Sequence, residues 1–166
     1  MKISLIGYMG SGKSTIGKLL AEKLKVNYLD LDSFIEEKEK MSIDEIFAQK
    51  GEIYFRRVEM QYVKEILDLE GNYVLSMGGG TPCYGNNLLE LNSKSKTIYL
   101  RASIGTLVQR LQKERENRPI IQTIKEDDLA EFVAKHLFER RDFYEKCQEI
   151  ISVDNKSIEE IVNEIA

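Results

Sequence analysis

Residues 7–14 read GYMGSGKS, a Gly-x4-Gly-Lys-Ser pattern that follows the apolar run ISLI and opens a stretch of helical periodicity. This is the phosphate-loop pattern in the setting it needs, a strand before and a helix after. Each residue type has a physical task. Glycines let successive backbone N–H groups curl around phosphate oxygens. The helix N-terminus adds unpaired donors and the positive end of its dipole. Lys13 is placed to reach the β and γ phosphates of a nucleotide, and the Ser14 hydroxyl to bind Mg2+. A chance glycine-rich turn would not explain the flanking strand and helix.

Phosphate loops serve switches, motors and phosphoryl transfer alike, so other residues must decide. The run VNYLDLD (26–32) ends in Asp30-Leu31-Asp32. Strand periodicity would point both aspartates to one side. One then holds a metal-bound water while the other meets an acceptor hydroxyl. The same residues also suit a polar strand end, with Asp32 or Ser33 capping a following helix. Arg56 and Arg57 lie on a helical face with Phe55, Val58 and Tyr62, and Arg140 and Arg141 on a later helix. Two arginines from distant parts of the chain can grip one carboxylate between them. The plainer reading pairs Arg56 with Glu59, or Arg57 with Gln61, on the helix surface. The polar stretch 113–127 holds Arg115 and Arg118, and Arg110 precedes it. It reads as a lid that brings positive charge to the transferred group, or as a surface loop. Finally, SMGGGTP (76–82) sets three glycines in a row, which calls for either a sharp turn or a close approach to the backbone.

These groups need a frame. Strands are expected at 3–7, 26–32, 73–77, 97–100 and 149–153. Helices are expected from Ser14 to Leu24, from a Ser42/Glu45 capping box to near Gly51, and along Phe55–Ile66. Others follow at Leu88–Leu91, after Ser103, along Phe132–Tyr144, and after a Ser157/Glu160 cap. Alternating strand and helix implies a parallel sheet covered on both faces.

The 166 residues suit one domain. A net charge of -4 disfavours nucleic acid and anionic membrane as partners. No apolar stretch is long enough to span a bilayer, and the N-terminal run is too short for a signal peptide. Cys83 and Cys147 form no CxxC, which fits a reduced, cytoplasmic setting. Neither they nor His136 suggests a role, and zinc is not expected.

The ordered set GYMGSGKST, DLD, FRRVE, GGGT, NRP and RRDFY spans nearly the whole chain and resembles the shikimate kinases. The resemblance implies a three-layer α/β/α P-loop kinase fold with a five-stranded parallel sheet and a mobile lid. It implies one domain over 1–166, a lid at roughly 112–126 and a shikimate-binding region at roughly 32–60. ATP would lie on Gly10, Ser11, Gly12, Lys13, Ser14, Thr15, Arg110 and Arg118. Shikimate would lie on Asp32, Arg56, Gly78, Gly79, Gly80 and Arg140. Lys13, Asp32 and Arg118 would be catalytic, and Mg2+ would sit on Ser14 and, through water, on Asp30. Spacing to Tyr144 favours Arg140 over Arg141. Such an enzyme phosphorylates the 3-hydroxyl of shikimate on the route to chorismate, as a cytoplasmic monomer. Competing readings are a gluconate kinase-like enzyme, which needs no arginine pair, and a non-catalytic ATP-binding module. Met77 and the isoleucines at 120 and 121 depart from the family's usual residues.

Overall fold

The apolar run Lys2–Ile6 forms β1, the central strand of a five-stranded sheet in the computed structural model. The structure describes residues 1–166, apart from the side chains of Asn117, Pro119 and Ile120. The asparagine and proline side chains of the NRP motif therefore lie outside what is described. After β1 come α1 (Lys13–Leu24), β2 (Asn27–Asp30), α2 (Leu31–Glu39) and α3 (Ile43–Leu67). Next are β3 (Tyr73–Ser76), α4 (Asn87–Lys94), β4 (Lys96–Arg101) and α5 (Ile104–Lys113). The chain ends with α6 (Pro119–Gln122), α7 (Leu129–Tyr144), β5 (Glu149–Ser152) and α8 (Ile158–Ile165).

The strand order is β2-β3-β1-β4-β5, and every pairing is parallel. β1 and β3 are almost wholly buried, as strands with both faces covered must be. Right-handed crossovers send α1 to one face and α3, α4, α5 and α7 to the other. The packing agrees, with α1 against α8, α3 against α4 and α5 against α7. The chain leaves β1 toward β2 on one side and later reaches β4 on the other. The crevice at the end of β1 is therefore where such a sheet receives a ligand.

Of three local expectations, two change and one holds. β2 stops at Asp30, whose carboxylate accepts from the Ser33 N–H at 3.1 Å and caps α2. Asp32 is thus in the first turn of a helix, and strand alternation does not relate the two aspartates. The cap is Asp30 itself, rather than Asp32 or Ser33. Leu31, Phe34 and Ile35 already gave the helical spacing for this element. Second, the stop expected near Gly51 is there: its φ of 86° and ψ of 169° are not helical, so α3 is two helical segments joined at a sharp kink. Ser42 caps this helix through the Glu45 N–H at 3.1 Å. Third, the polar stretch 113–127 is not plain loop. It carries α6 between two 3-10 turns, at Arg115–Asn117 and Glu126–Asp128.

Candidate active site

The phosphate loop leaves β1 at Gly7 and enters α1 at Lys13. Gly10 and Gly12 have φ of 84° and 95°, left-handed values that a residue with a Cβ adopts at a cost. Lys13 folds back, and its ammonium donates to the carbonyls of Gly7 at 2.6 Å and Tyr8 at 2.9 Å. Burial pushes its pKa down to about 7, helped by the nearby Arg118 and Arg140 charges. Ser76, at the end of β3, donates to the Lys13 carbonyl at 3.0 Å and ties this turn to the sheet.

A cleft of about 420 Å³ runs along this loop, lined by Gly10, Gly12, Lys13, Ser14 and Thr15. Asp30 and Asp32 face the same cleft, so the structure does bring the two carboxylates together, across a strand end and a helix start. Burial pushes the Asp32 pKa up to about 6, with Asp30, Glu59 and Glu36 adding to the shift and Lys13 opposing it. Ser14, Asp30 and Asp32 offer the oxygen donors that Mg2+ prefers. Arg110 and Arg118 line the cleft as well. Arg110 Nη1 donates to the Gly10 carbonyl at 3.2 Å. Arg118 pairs with Glu114 at 2.9 Å, one turn away.

Gly78 and Gly79 line the cleft as well, while Ser11, Arg56, Gly80 and Arg140 do not. The Ser11 hydroxyl is buried and has no hydrogen-bond partner among the described residues. The glycine turn itself resolves into a geometric cause. None of Gly78, Gly79 and Gly80 has a positive φ. A Cβ on Gly79 would come within 2.8 Å of Arg140 Nη1, and one on Gly80 within 2.9 Å of Arg56 Nη2. Two guanidinium groups approach this turn closely, and a Cβ on Gly79 or Gly80 would oblige them to shift, whereas one on Gly78 would meet nothing nearer than 3.7 Å. Arg56 reaches from α3 and Arg140 from α7, so the two arginines converge on one short turn. Arg57 is exposed, 5.2 Å from the centre of the Tyr54 ring, and Arg141 is exposed on a separate groove.

The Arg56–Glu59 pair anticipated from helix spacing exists, but it is not a surface pair. Glu59 is buried and accepts from Arg56 Nη1 at 2.9 Å and from Thr81 Oγ1 at 2.9 Å. Tyr84 stacks 3.9 Å below the Arg56 guanidinium. Thr81 and Tyr84 come from the far side of the glycine turn, and no local pattern announced them. The Glu114–Arg118 pair, by contrast, was open to the i,i+4 rule.

Among the described residues no group of three or more metal-ligating side chains forms, and no helix is long and apolar enough to cross a membrane.

Comparison with known proteins assigns the family. The shikimate kinase family model matches residues 9–166. A shikimate kinase of Flavobacterium psychrophilum is 46% identical over 165 residues, covering 99% of this chain and 96% of its own. The crystal structure of the Bacteroides thetaiotaomicron shikimate kinase superposes with a TM-score of 0.92 at 37% identity, over 99% of this chain and 96% of its own. That of the Acinetobacter baumannii enzyme, solved in complex with shikimate, gives 0.88 at 29% identity, over 99% and 89%. The fold is that of the P-loop kinases, and the chain belongs to the shikimate kinase family.

Proposed function

We propose that this protein transfers the γ-phosphoryl group of ATP to the 3-hydroxyl of shikimate, giving shikimate 3-phosphate and ADP for aromatic amino acid biosynthesis. The observation that carries the reading is the convergence of Arg56 and Arg140 on Gly79 and Gly80, beside a cleft that holds the phosphate loop and Asp32. A ring acid with a carboxylate at one end and a hydroxyl at the other suits a pair of arginines set beside a cleft that contains Asp32. The shikimate bound in the Acinetobacter baumannii relative supports it.

In this reading Gly10, Ser11, Gly12, Lys13, Ser14 and Thr15 hold the triphosphate, and Arg110 lies along the adenine. Arg56 and Arg140 grip the shikimate carboxylate, and Gly78, Gly79 and Gly80 bound its pocket. Asp32 orients the attacking hydroxyl and accepts its proton, for which a raised pKa is useful. Ser14 and Asp30, the latter through water, would hold Mg2+, and the ion would neutralise charge on the phosphates. Lys13 and Arg118 stabilise charge on the group in flight, so catalysis is mostly positioning and electrostatics. Arg118 first exchanges Glu114 for phosphate, which gives the segment 112–126 its work as a lid. The shikimate-binding region spans roughly 32–60, within a single domain. We take a monomer as the working unit. The two free cysteines suit the cytoplasm.

The test is ADP release from Mg-ATP with shikimate, gluconate, a nucleoside monophosphate or no acceptor. Release with shikimate alone is expected. Release with gluconate or a nucleotide instead would overturn the acceptor assignment, and ATP binding without stimulated release would overturn the catalytic one.

A further inference from the structure

Helix α7 presents three side chains at four-residue spacing, which places them on one face. His136 Nδ1 and Tyr8 Oη share a hydrogen bond of 2.9 Å, and the two rings meet edge to face with centroids 5.4 Å apart. One turn later, the Arg140 guanidinium stands 5.8 Å from the centre of the same Tyr8 ring and presses on Gly79 and Gly80. Another turn on, Tyr144 donates to the Gly79 carbonyl at 2.6 Å. One helix face thus touches both the phosphate loop and the glycine turn.

Tyr8 belongs to the phosphate loop and is 1% exposed. Its carbonyl accepts from the Lys13 ammonium at 2.9 Å and from the Ser11 N–H at 3.1 Å. Phe132 packs on His136, with ring centroids 5.3 Å apart. Burial, with Arg140 one turn away, holds the imidazole below its ordinary pKa against the opposing pull of Glu139. Neither Tyr8 nor His136 lines the cleft.

We propose that the Tyr8–His136 hydrogen bond is a strut that holds the phosphate loop at a fixed distance from Arg140, making both residues positioning residues for the transfer. The strut rests on the proposed function, since it sets where the acceptor sits relative to the phosphates that Lys13 holds. In-line transfer is sensitive to such placement, because a misplacement of about 1 Å costs on the order of 100-fold in rate. Nothing in the strut contacts a substrate, so its loss should spare ATP binding and harm the alignment of the acceptor.

The experiment compares Tyr8→Phe, His136→Phe, the double variant and His136→Asn with the wild-type protein. Each phenylalanine variant keeps a ring and deletes one end of the bond. Each should lower kcat/KM for shikimate about threefold to tenfold, the usual worth of one hydrogen bond, and leave the ATP KM within about twofold. The double variant should be no worse than either single, because both delete the same interaction. His136→Asn returns an acceptor near the Nδ1 position and should recover part of the loss. Unchanged acceptor kcat/KM in both singles, additive losses, or an asparagine variant no better than phenylalanine would overturn the strut. Imidazole 15N shifts give a readout that needs no turnover. Tyr8→Phe should move the Nδ1 resonance, and an unmoved resonance would remove the bond itself. A wild-type protein without shikimate-dependent ADP release would overturn the function instead, with the shift still reporting on the strut.

Discussion

Arg56 donates to Glu59 at 2.9 Å, and Glu59 is buried to 1% exposure. A buried carboxylate needs such a partner, and Thr81 supplies a second one. The pair orients the guanidinium without using it up. Nη1 is engaged, while Nη2 points at the glycine turn. Arginine has five donors in a rigid fork, so one group can be anchored and still bind a carboxylate. Arg56→Ala should therefore lower kcat/KM for shikimate by about 10- to 150-fold, the worth of a charged hydrogen bond at about 1.5–3 kcal/mol. The rise should fall on the shikimate KM and leave the ATP KM nearly unchanged. Equal effects on both constants in steady-state assays would make Arg56 a structural residue only.

Lys13→Ala should cut kcat by at least about 100-fold, as loss of one pre-placed electrostatic contact does. The fold should survive. The native pKa of about 7 lies below the lysine reference of 10.5, so the folded state resists holding this charge. That penalty is full below pH 7 and fades as pH rises toward 10.5. Removing the side chain lifts the penalty but also loses two hydrogen bonds to carbonyls. A melting temperature close to wild type, measured beside kcat, checks both halves.

Gly79→Ala tests the close-approach account of the glycine turn. The backbone there is not left-handed, so alanine adds no φ strain. Its Cβ would instead meet Arg140 Nη1 at 2.8 Å and Tyr144 Oη at 3.2 Å. The guanidinium must move, and the shikimate KM should rise about tenfold or more while stability falls by no more than about 1 kcal/mol, because the displaced atoms end a flexible side chain. A variant that unfolds would return the turn to a purely structural role.

The pH profile should carry the signature of Asp32. With a pKa near 6, the carboxylate is ionised above that value, so kcat/KM for shikimate should rise through about pH 6 and level off. Stability runs the other way. The native pKa is raised from 3.8, so folding favours the protonated form, and that contribution is complete below about pH 4 and lost as pH passes 6. Asp32→Asn should lose activity and yet be more stable than wild type above pH 6, with the gap closing at acid pH. Urea titrations at pH 4 and pH 7.5 decide this.

What could be read from the chain follows from sequence distance. GYMGSGKS is local, and its strand, loop and helix fell where the spacing put them. The sheet was legible because short apolar stretches such as YVL in β3 and IYL in β4 alternate with helical patterns along the chain. DLD misled because a strand-to-helix switch inside seven residues gives neither periodicity room to show. The contacts of the glycine turn were beyond reach for another reason. Arg56, Tyr84, Arg140 and Tyr144 meet there only through folding, and no interval along the chain encodes that Gly79 must yield space to Arg140. The three glycines showed that something came close, but not what.

Lys13 has one more effect, in the proton balance of nucleotide binding. Burial, with the nearby Arg118 and Arg140 charges, leaves its ammonium only about half protonated near pH 7. A triphosphate brings several negative charges to the same nitrogen and must restore the proton. Above about pH 7, ATP binding then takes up a proton from the medium, and its apparent affinity falls as the solution becomes more alkaline. The heat of binding will vary with the ionisation enthalpy of the buffer, and departure of ADP gives the proton back. The proton taken up with ATP should approach one per site only well above pH 7 and vanish well below it, which calorimetry in two buffers at pH 6 and pH 8.5 would show.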